Sequence, residues 1–381
     1  MTQPQAITMW DFSWIERRWP GAGYEDIGQA LDELAERGYD AVRIDAFPHL
    51  IYADAQTGTE RTYELIPVWS VNDWGAPMRC KVQRVLTELL SFIQACGERG
   101  IAVGLSSWLR RDTTEAWRRL CSPQQFAAAW ATLLQAITDA GLLSHILYCD
   151  LCNEWPLRIW RPFFYGQDID AAAVTGAGQA QWFDDNSQRW LREATNALRQ
   201  DFPQLALTTS IHPWNDDPAK ISDICDFHEP HLWMAASEFY HRLNWTWKAK
   251  WDYSELENVA KFGEQLYRSD EQHWQQLLFG MIDGAADTAR RTQRPLITTE
   301  CWGIVDYKDG PQLDWGWMKE LSVIGTEYAA ATGCWAAIAT SNFCGPQFVG
   351  MWRDVAWHQR LTNIIKSSPM SSWPSKLIGS A

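Results

Sequence analysis

Short apolar runs alternate along this chain with longer stretches whose apolar positions recur every three or four residues. The first pattern predicts buried strands and the second amphipathic helices, so their alternation predicts βα units on a parallel sheet. Eight strands can be placed, at residues 7–11, 41–45, 101–106, 145–151, 205–211, 225–231, 296–299 and 334–339. Ile27, Ala30, Leu31 and Leu34 mark a helix ended by Gly38. Val85, Leu86, Leu89, Leu90 and Ile93 mark another, ended by Gly100, and further helices are expected near 124–140, 187–200, 271–291, 317–331 and 354–366. Between the fifth and sixth strands there is room for about one or two helical turns.

No Pro/Ser-rich hinge, low-complexity tract or repeat beyond the βα alternation interrupts the series. One (β/α)8 barrel domain spanning residues 1–381 is therefore expected, a length ordinary for that fold with long loops. The long segments 45–77, 155–185 and 234–267 each follow a strand, and so should cover the face on which barrels build their sites. A doubly wound open sheet is the alternative. It would need a Gly-rich phosphate turn after the first strand, where Asp11-Phe12-Ser13-Trp14-Ile15 stands instead.

Composition narrows the function. Hydrophobic residues make up 46%, enough for a large core. With 33 Lys and Arg against 47 Asp and Glu the net charge is −14, and no basic stripe stands out, which argues against nucleic acid as a partner. The first residues carry neither a basic head nor a long apolar stretch, so no signal peptide, no membrane segment and a cytoplasmic location are expected. Nine cysteines is an odd number, and Cys149, Cys152, Cys225, Cys301 and Cys334 fall in strand-like runs, as reduced core residues do. Tryptophan, at 25 residues, is the outlier. Trp69, Trp74, Trp108, Trp155, Trp214, Trp245, Trp247 and Trp302 lie in expected loops, where indole faces can stack on sugar rings.

Two carboxylates give that surplus a purpose. Glu154 closes the run from His145 to Asn153, and Glu300 closes the run from Pro295 to Thr299. A carboxylate at the end of a buried strand is costly unless it is paired, hydrogen-bonded or working. Two at the same relative place on separate strands point to a carboxyl pair converging on one bond, the equipment of a glycoside hydrolase. For either Glu alone, pairing with a nearby Arg or Lys is the better account.

Asn153-Glu154 at the end of the fourth strand, with Glu300 at the end of the seventh, resembles the cellulase-like clan of (β/α)8 glycoside hydrolases. Within it the chain looks closest to the cellulase-like group described as sugar-binding. The resemblance implies that Glu154 is the acid/base and Glu300 the nucleophile of a retaining mechanism. It implies that Arg43, in Ala41-Val42-Arg43-Ile44-Asp45, holds the nucleophile ionised, and that His231 and Trp233 flank it, Trp233 standing where Tyr is usual. It also makes Trp335 the tryptophan that floors the sugar subsite. Departures are Asn-Glu-Trp-Pro for the usual Asn-Glu-Pro, and Ser106-Ser107-Trp108 where many members have His. They keep open a sugar-binding barrel without turnover.

The chemistry asks for the same residue types. Retention needs a carboxylate nucleophile and a carboxylic acid about 5–5.5 Å apart, with their pKa values separated. Arg43 beside Glu300 would keep it charged, an apolar wall from Trp155 would keep Glu154 protonated, and Asn153 is suited to donate to the sugar 2-OH. Cys149-Asp-Leu-Cys152 has the CxxC spacing, but no second pair completes a zinc site. His228-Glu-Pro-His231 contains a proline that forbids the helix a metal-binding HExxH needs. His212, ending the fifth strand, fits a structural role as well as a sugar contact. A metal-dependent isomerase would need more ligands than Asp45, His228 and His231. The expectation is thus a cofactor-free retaining β-glycosidase acting on an imported oligosaccharide or glycoside. Its candidate binding residues are Arg43, Trp108, Asn153, Trp155, His212, His231, Trp233, Trp302 and Trp335.

Overall fold

The structure is a computed structural model that describes residues 3–66, 77, 79–155, 183–212, 217–234, 238–244, 253–304 and 313–373. Trp69, Trp74, Trp214, Trp245 and Trp247, expected near the site, lie outside the described residues.

Eight strand positions are paired in parallel around a closed ring. They are β1 (Gln5–Asp11), β2 (Ala41–Asp45), β3 (Ala102–Ser106), β4 (Ile146–Asp150), β5 (Leu207–Thr208 and Ser210–Ile211), β6 (Glu229–Pro230 and Leu232–Trp233), β7 (Leu296–Thr298 and Cys301–Trp302) and β8 (Trp335–Ala339). One continuous seven-stranded sheet runs β7-β8-β1-β2-β3-β4-β5. Ser210 opposite Glu229 carries it on to β6, and His228 opposite Leu296 with Leu232 opposite Cys301 joins β6 back to β7. With helices outside, this is a (β/α)8 barrel.

Most expected helices appear within a residue or two, and their ends follow from capping. Asp26 accepts from Gln29 N to start Ile27–Glu36, and Ser122 accepts from Gln125 N ahead of Pro123–Asp139. Gly38 follows the first of these at φ +81°, a conformation that glycine adopts at no steric cost. Among the described residues, the short fifth-to-sixth connection has a 3-10 turn, Pro218–Ile221.

Two of the long segments are more structured than their sequence predicts, while most of the third, 155–185, lies outside the described residues. Residues 45–77 contain a helix, Pro48–Ala55, and the strand Thr62–Leu65, which pairs antiparallel with Cys80–Gln83. Residues 234–267 contain Glu238–Arg242 and most of Tyr253–Ser269. Those two helices are anchored by aromatic contacts no local pattern announces: Phe239 on Trp274 at 5.1 Å and Tyr267 on Trp317 at 5.9 Å. Strands β5 to β7 are interrupted at Thr209, His231 and Thr299–Glu300, where side chains turn to the site. Among the described residues no helix is long and apolar enough to cross a membrane.

Alternation along β2 sends Val42 and Ile44 to the helix layer and Arg43 into the barrel. The upper interior is consequently polar rather than aliphatic. Gly104 on β3 makes room for it, since a Cβ there would lie 2.7 Å from Tyr148 Cζ.

Candidate active site

Glu154 lies just past β4 and Glu300 in the break of β7, 6% and 1% exposed. Glu154 adopts φ +53°, and its N–H donates to Ser210 Oγ at 2.8 Å. Asp11, Phe47 and Leu109, at or just beyond the ends of β1, β2 and β3, are also left-handed, at φ 34°, 49° and 48°. Such residues cost on the order of 1–3 kcal/mol each and persist where surrounding structure holds them, commonly at functional sites. Here they ring one end of the barrel.

His231 joins the two carboxyls. Its Nδ1 lies 2.8 Å from Glu154 Oε1 and 3.6 Å from Glu300 Oε1, and one ligand-type atom of each of the three residues lies within 4.8 Å of the others. That spacing would also suit a metal ion. The other ring nitrogen argues against one. Nε2 lies 3.3 Å from Arg43 Nη1, and a guanidinium can only donate, so Nε2 must carry the lone pair. A neutral imidazole then has its proton on Nδ1, which donates to Glu154 and has no lone pair for a metal. Burial, and then Arg43, hold the His231 pKa well below its usual value, so the ring is neutral.

Arg43 is itself fully buried. Its Nη1 donates to Thr299 Oγ1 at 2.6 Å, and its Nη2 to Ser106 Oγ at 3.1 Å and to Asn153 Oδ1. Four carboxylates lie around it: Asp11 at 3.4 Å, Glu229 at 3.5 Å, and Asp150 and Glu300 at 3.6 Å. The expectation that Arg43 keeps Glu300 ionised needs amending. One cation is divided among four acids, and burial, followed by repulsion from Glu154, pushes the Glu300 pKa well up while Arg43 pulls it down.

The remaining candidates divide. Asn153 is held by Arg43 beside the pair. Trp108 donates from its indole to Asp11 Oδ2 at 2.7 Å and from its backbone to Asp45 Oδ2 at 2.7 Å, at the same barrel end. Trp233 lies 5.7 Å from the His231 ring and 5.9 Å from that of His212, bringing both to the β6 side of the mouth. Trp155 stacks on Trp190 of the helix Asp185–Asp201 at 4.9 Å, so that helix engages its ring.

Two tryptophans must be reassigned. Trp335 opens β8 opposite Leu296, at the start of the strands, while Glu300 lies four residues further up β7. The Trp335 ring meets that of Trp302 edge-on at 6.2 Å, so it packs with Trp302 rather than flooring a sugar beside the carboxyl pair. Trp302 turns to the helix layer, donating to Ala339 O at 3.0 Å and covering Gly325, where a Cβ would lie 2.5 Å from its Cγ. His228 likewise points away, to Thr292 Oγ1 at 3.3 Å. Cys149 and Cys152 are buried and unpaired.

Sequence reasoning missed Asp11, Asp150, Glu229, Thr299 and Tyr148. A signal existed for the aspartates, because Asp11 and Asp150 close strands as the two glutamates do. Asp150 is well satisfied, accepting from Ser106 Oγ at 2.7 Å and Ser210 N at 2.8 Å.

Comparison with known proteins agrees with fold and site. Residues 7–366 match the family described as sugar-binding cellulase-like. A protein of Parabacteroides distasonis ATCC 8503, provisionally assigned as a glycoside hydrolase, is 46% identical, with a TM-score of 0.87 over 97% of this chain and 96% of its own. The GH5_18 protein of Bifidobacterium longum subsp. longum ATCC 55813 is 12% identical, with a TM-score of 0.56 over 97% of this chain and 81% of that one, a likeness of fold. The Streptomyces cattleya GH5_18 protein, in complex with GlcNAc, is 13% identical at a TM-score of 0.51, over 99% and 86% of the two chains. No curated protein sequence matches significantly. The class is thus a (β/α)8 enzyme of the cellulase-like glycoside hydrolase clan. Within that clan, the chain belongs to the sugar-binding cellulase-like family.

Proposed function

We propose that the protein cleaves a β-glycosidic bond in a small oligosaccharide or glycoside by double displacement, with retention. One observation carries this reading: carboxyl oxygens of Glu154 and Glu300 lie within 4.8 Å, bridged by His231. That is close to the separation of about 5–5.5 Å used for covalent catalysis and short of the roughly 6.5–9.5 Å that admits a water for inversion.

A Glu300 oxygen attacks the anomeric carbon as the bond to the leaving oxygen breaks, and Glu154 gives its proton to that oxygen. Water then attacks the same carbon, passes its proton to Glu154 and expels Glu300. Arg43, 3.6 Å from Glu300, favours it as the charged partner. Asn153 donates to the sugar 2-OH, while Trp108, Trp233 and His212 line the subsite. No cofactor takes part.

A sugar-binding barrel without turnover is the second reading, favoured by the raised Glu300 pKa, since a protonated carboxyl cannot attack. A panel of aryl β-glycosides, with proton NMR of the first-formed anomer, separates the two. Release of the β-anomer supports retention. Release of the α-anomer overturns it, and binding without hydrolysis across the panel favours the second reading.

A further inference from the structure

Glu229 has been given no role so far, yet it meets Thr299, the residue before the proposed nucleophile. It shares the inward face of β6 with His231, two residues on, and is fully buried. Its Oε1 accepts from Thr299 Oγ1 at 2.6 Å, with Arg43 Nη1 and Tyr148 Oη each at 3.5 Å, and its Oε2 has no hydrogen-bond partner. Thr299 precedes Glu300 in the chain. Its hydroxyl, between Glu229 and Arg43, therefore couples the acid to both the guanidinium and the nucleophile's backbone.

We propose that Glu229 is a positioning residue that works as a neutral carboxylic acid, keeping a proton beneath Arg43 so that the guanidinium's charge is left to Glu300. The inference rests on Glu300 being the nucleophile. Its argument is a distribution of protons. Asp11 on β1, Asp150 on β4, Glu229 on β6 and Glu300 on β7 all face Arg43 within 3.6 Å, in a region closed to water. Four charges against one is costly, so protons must be retained. Asp150 accepts from Ser210 N and Ser106 Oγ, and Asp11 accepts from the Trp108 indole, so each meets strong donors of its own. Glu229 has hydroxyls and a shared guanidinium for one oxygen and nothing for the other. Glu300 Oε1 likewise has no hydrogen-bond partner, so the choice between the two rests on Glu300 acting as the anionic nucleophile, which leaves Glu229 to hold the proton. Burial first, with Asp150 and Asp11 adding to it, raises its pKa to about 8 against the pull of Arg43. Tyr148 across from it stays protonated, its own pKa raised by burial, and His231 is neutral.

The test needs no substrate at its first stage. In protein labelled with 13C at glutamate carboxyls, one resonance should titrate near pH 8, vanish in Glu229→Gln and persist in Glu300→Gln. A Glu229 resonance already in the carboxylate position at pH 6 overturns the proposal. So does the lack of any such resonance in the wild type, which decides the matter even where Gln fails to fold.

Kinetics supply the second readout. Glu229→Ala should lower kcat about 100-fold by freeing Thr299 and Arg43, and Gln should recover at least tenfold of that, with the acidic limb of kcat/KM at its wild-type position. Were Glu229 an anion at work, deleting its charge would lower the Glu300 pKa and carry that limb to lower pH. A limb so displaced, or a Gln variant no better than Ala, overturns the proposal. Covalent labelling elsewhere than Glu300 would instead sink the underlying reading and leave the 13C result standing.

Discussion

Arg43 Nη1 reaches His231 Nε2 at 3.3 Å, and by occupying that nitrogen it makes His231 a proton donor to Glu154 at 2.8 Å. A hydrogen bond from a neutral donor favours the charged form of the acid it meets. His231→Phe removes that donor, so the Glu154 pKa should rise and the alkaline limb of kcat/KM should move up by about one pH unit, the equivalent of one buried hydrogen bond. A stationary limb in an active variant would show that the proton is not on Nδ1.

Glu300→Gln keeps the shape of the side chain but cannot form a glycosyl ester. Turnover should fall by at least about 10⁴-fold while sugar binding largely survives. Mass spectrometry of wild type after incubation with a 2-fluoro glycoside should place the adduct on Glu300. An adduct on another residue ends the assignment.

Glu154→Ala separates the two chemical steps. Substrates with good leaving groups need little protonation, so glycosylation stays fast and deglycosylation slows. Azide should restore turnover and yield a β-glycosyl azide, while poor leaving groups lose nearly all activity. If wild type turns over and neither the split nor the rescue appears, Glu154 is not the acid/base.

Arg43→Lys retains a charge but not the fork that serves Thr299, Ser106 and Asn153 together. Loss of charge-assisted bonds worth about 1.5–3 kcal/mol each should cost roughly 100-fold in kcat/KM. The cation lowers the Glu300 pKa, so a less well placed one should move the acidic limb to higher pH. An unmoved limb would mean that Arg43 acts on geometry alone.

The tryptophans should sort by location. Trp335→Ala, buried and packed edge-on against Trp302, should cost about 3–5 kcal/mol of stability with KM little changed in the fraction that folds. Trp233→Ala, beside His231, should raise KM several-fold with a smaller change in melting temperature. Thermal denaturation and steady-state kinetics on both variants check this, and the reverse pattern would return Trp335 to the sugar site.

Periodicity alone carried the eight strands, the helices between them and the closed barrel, because the apolar pattern records which face each segment buries. It also exposed Glu154 and Glu300, since a carboxylate ending an apolar run conflicts with its neighbours. It did not tell that Trp335 packs against Trp302, nor that Trp302 faces a helix. Those depend on strand register and on Gly325 across the layer. The helices Glu238–Arg242 and Tyr253–Ser269 were hidden because distant aromatics hold them. Above all, that Arg43 serves four acids, and that His231 donates rather than ligates, could not be read from any segment. Proton positions follow from who meets whom in a buried space, and that is decided only when strands from the whole length of the chain close into one ring.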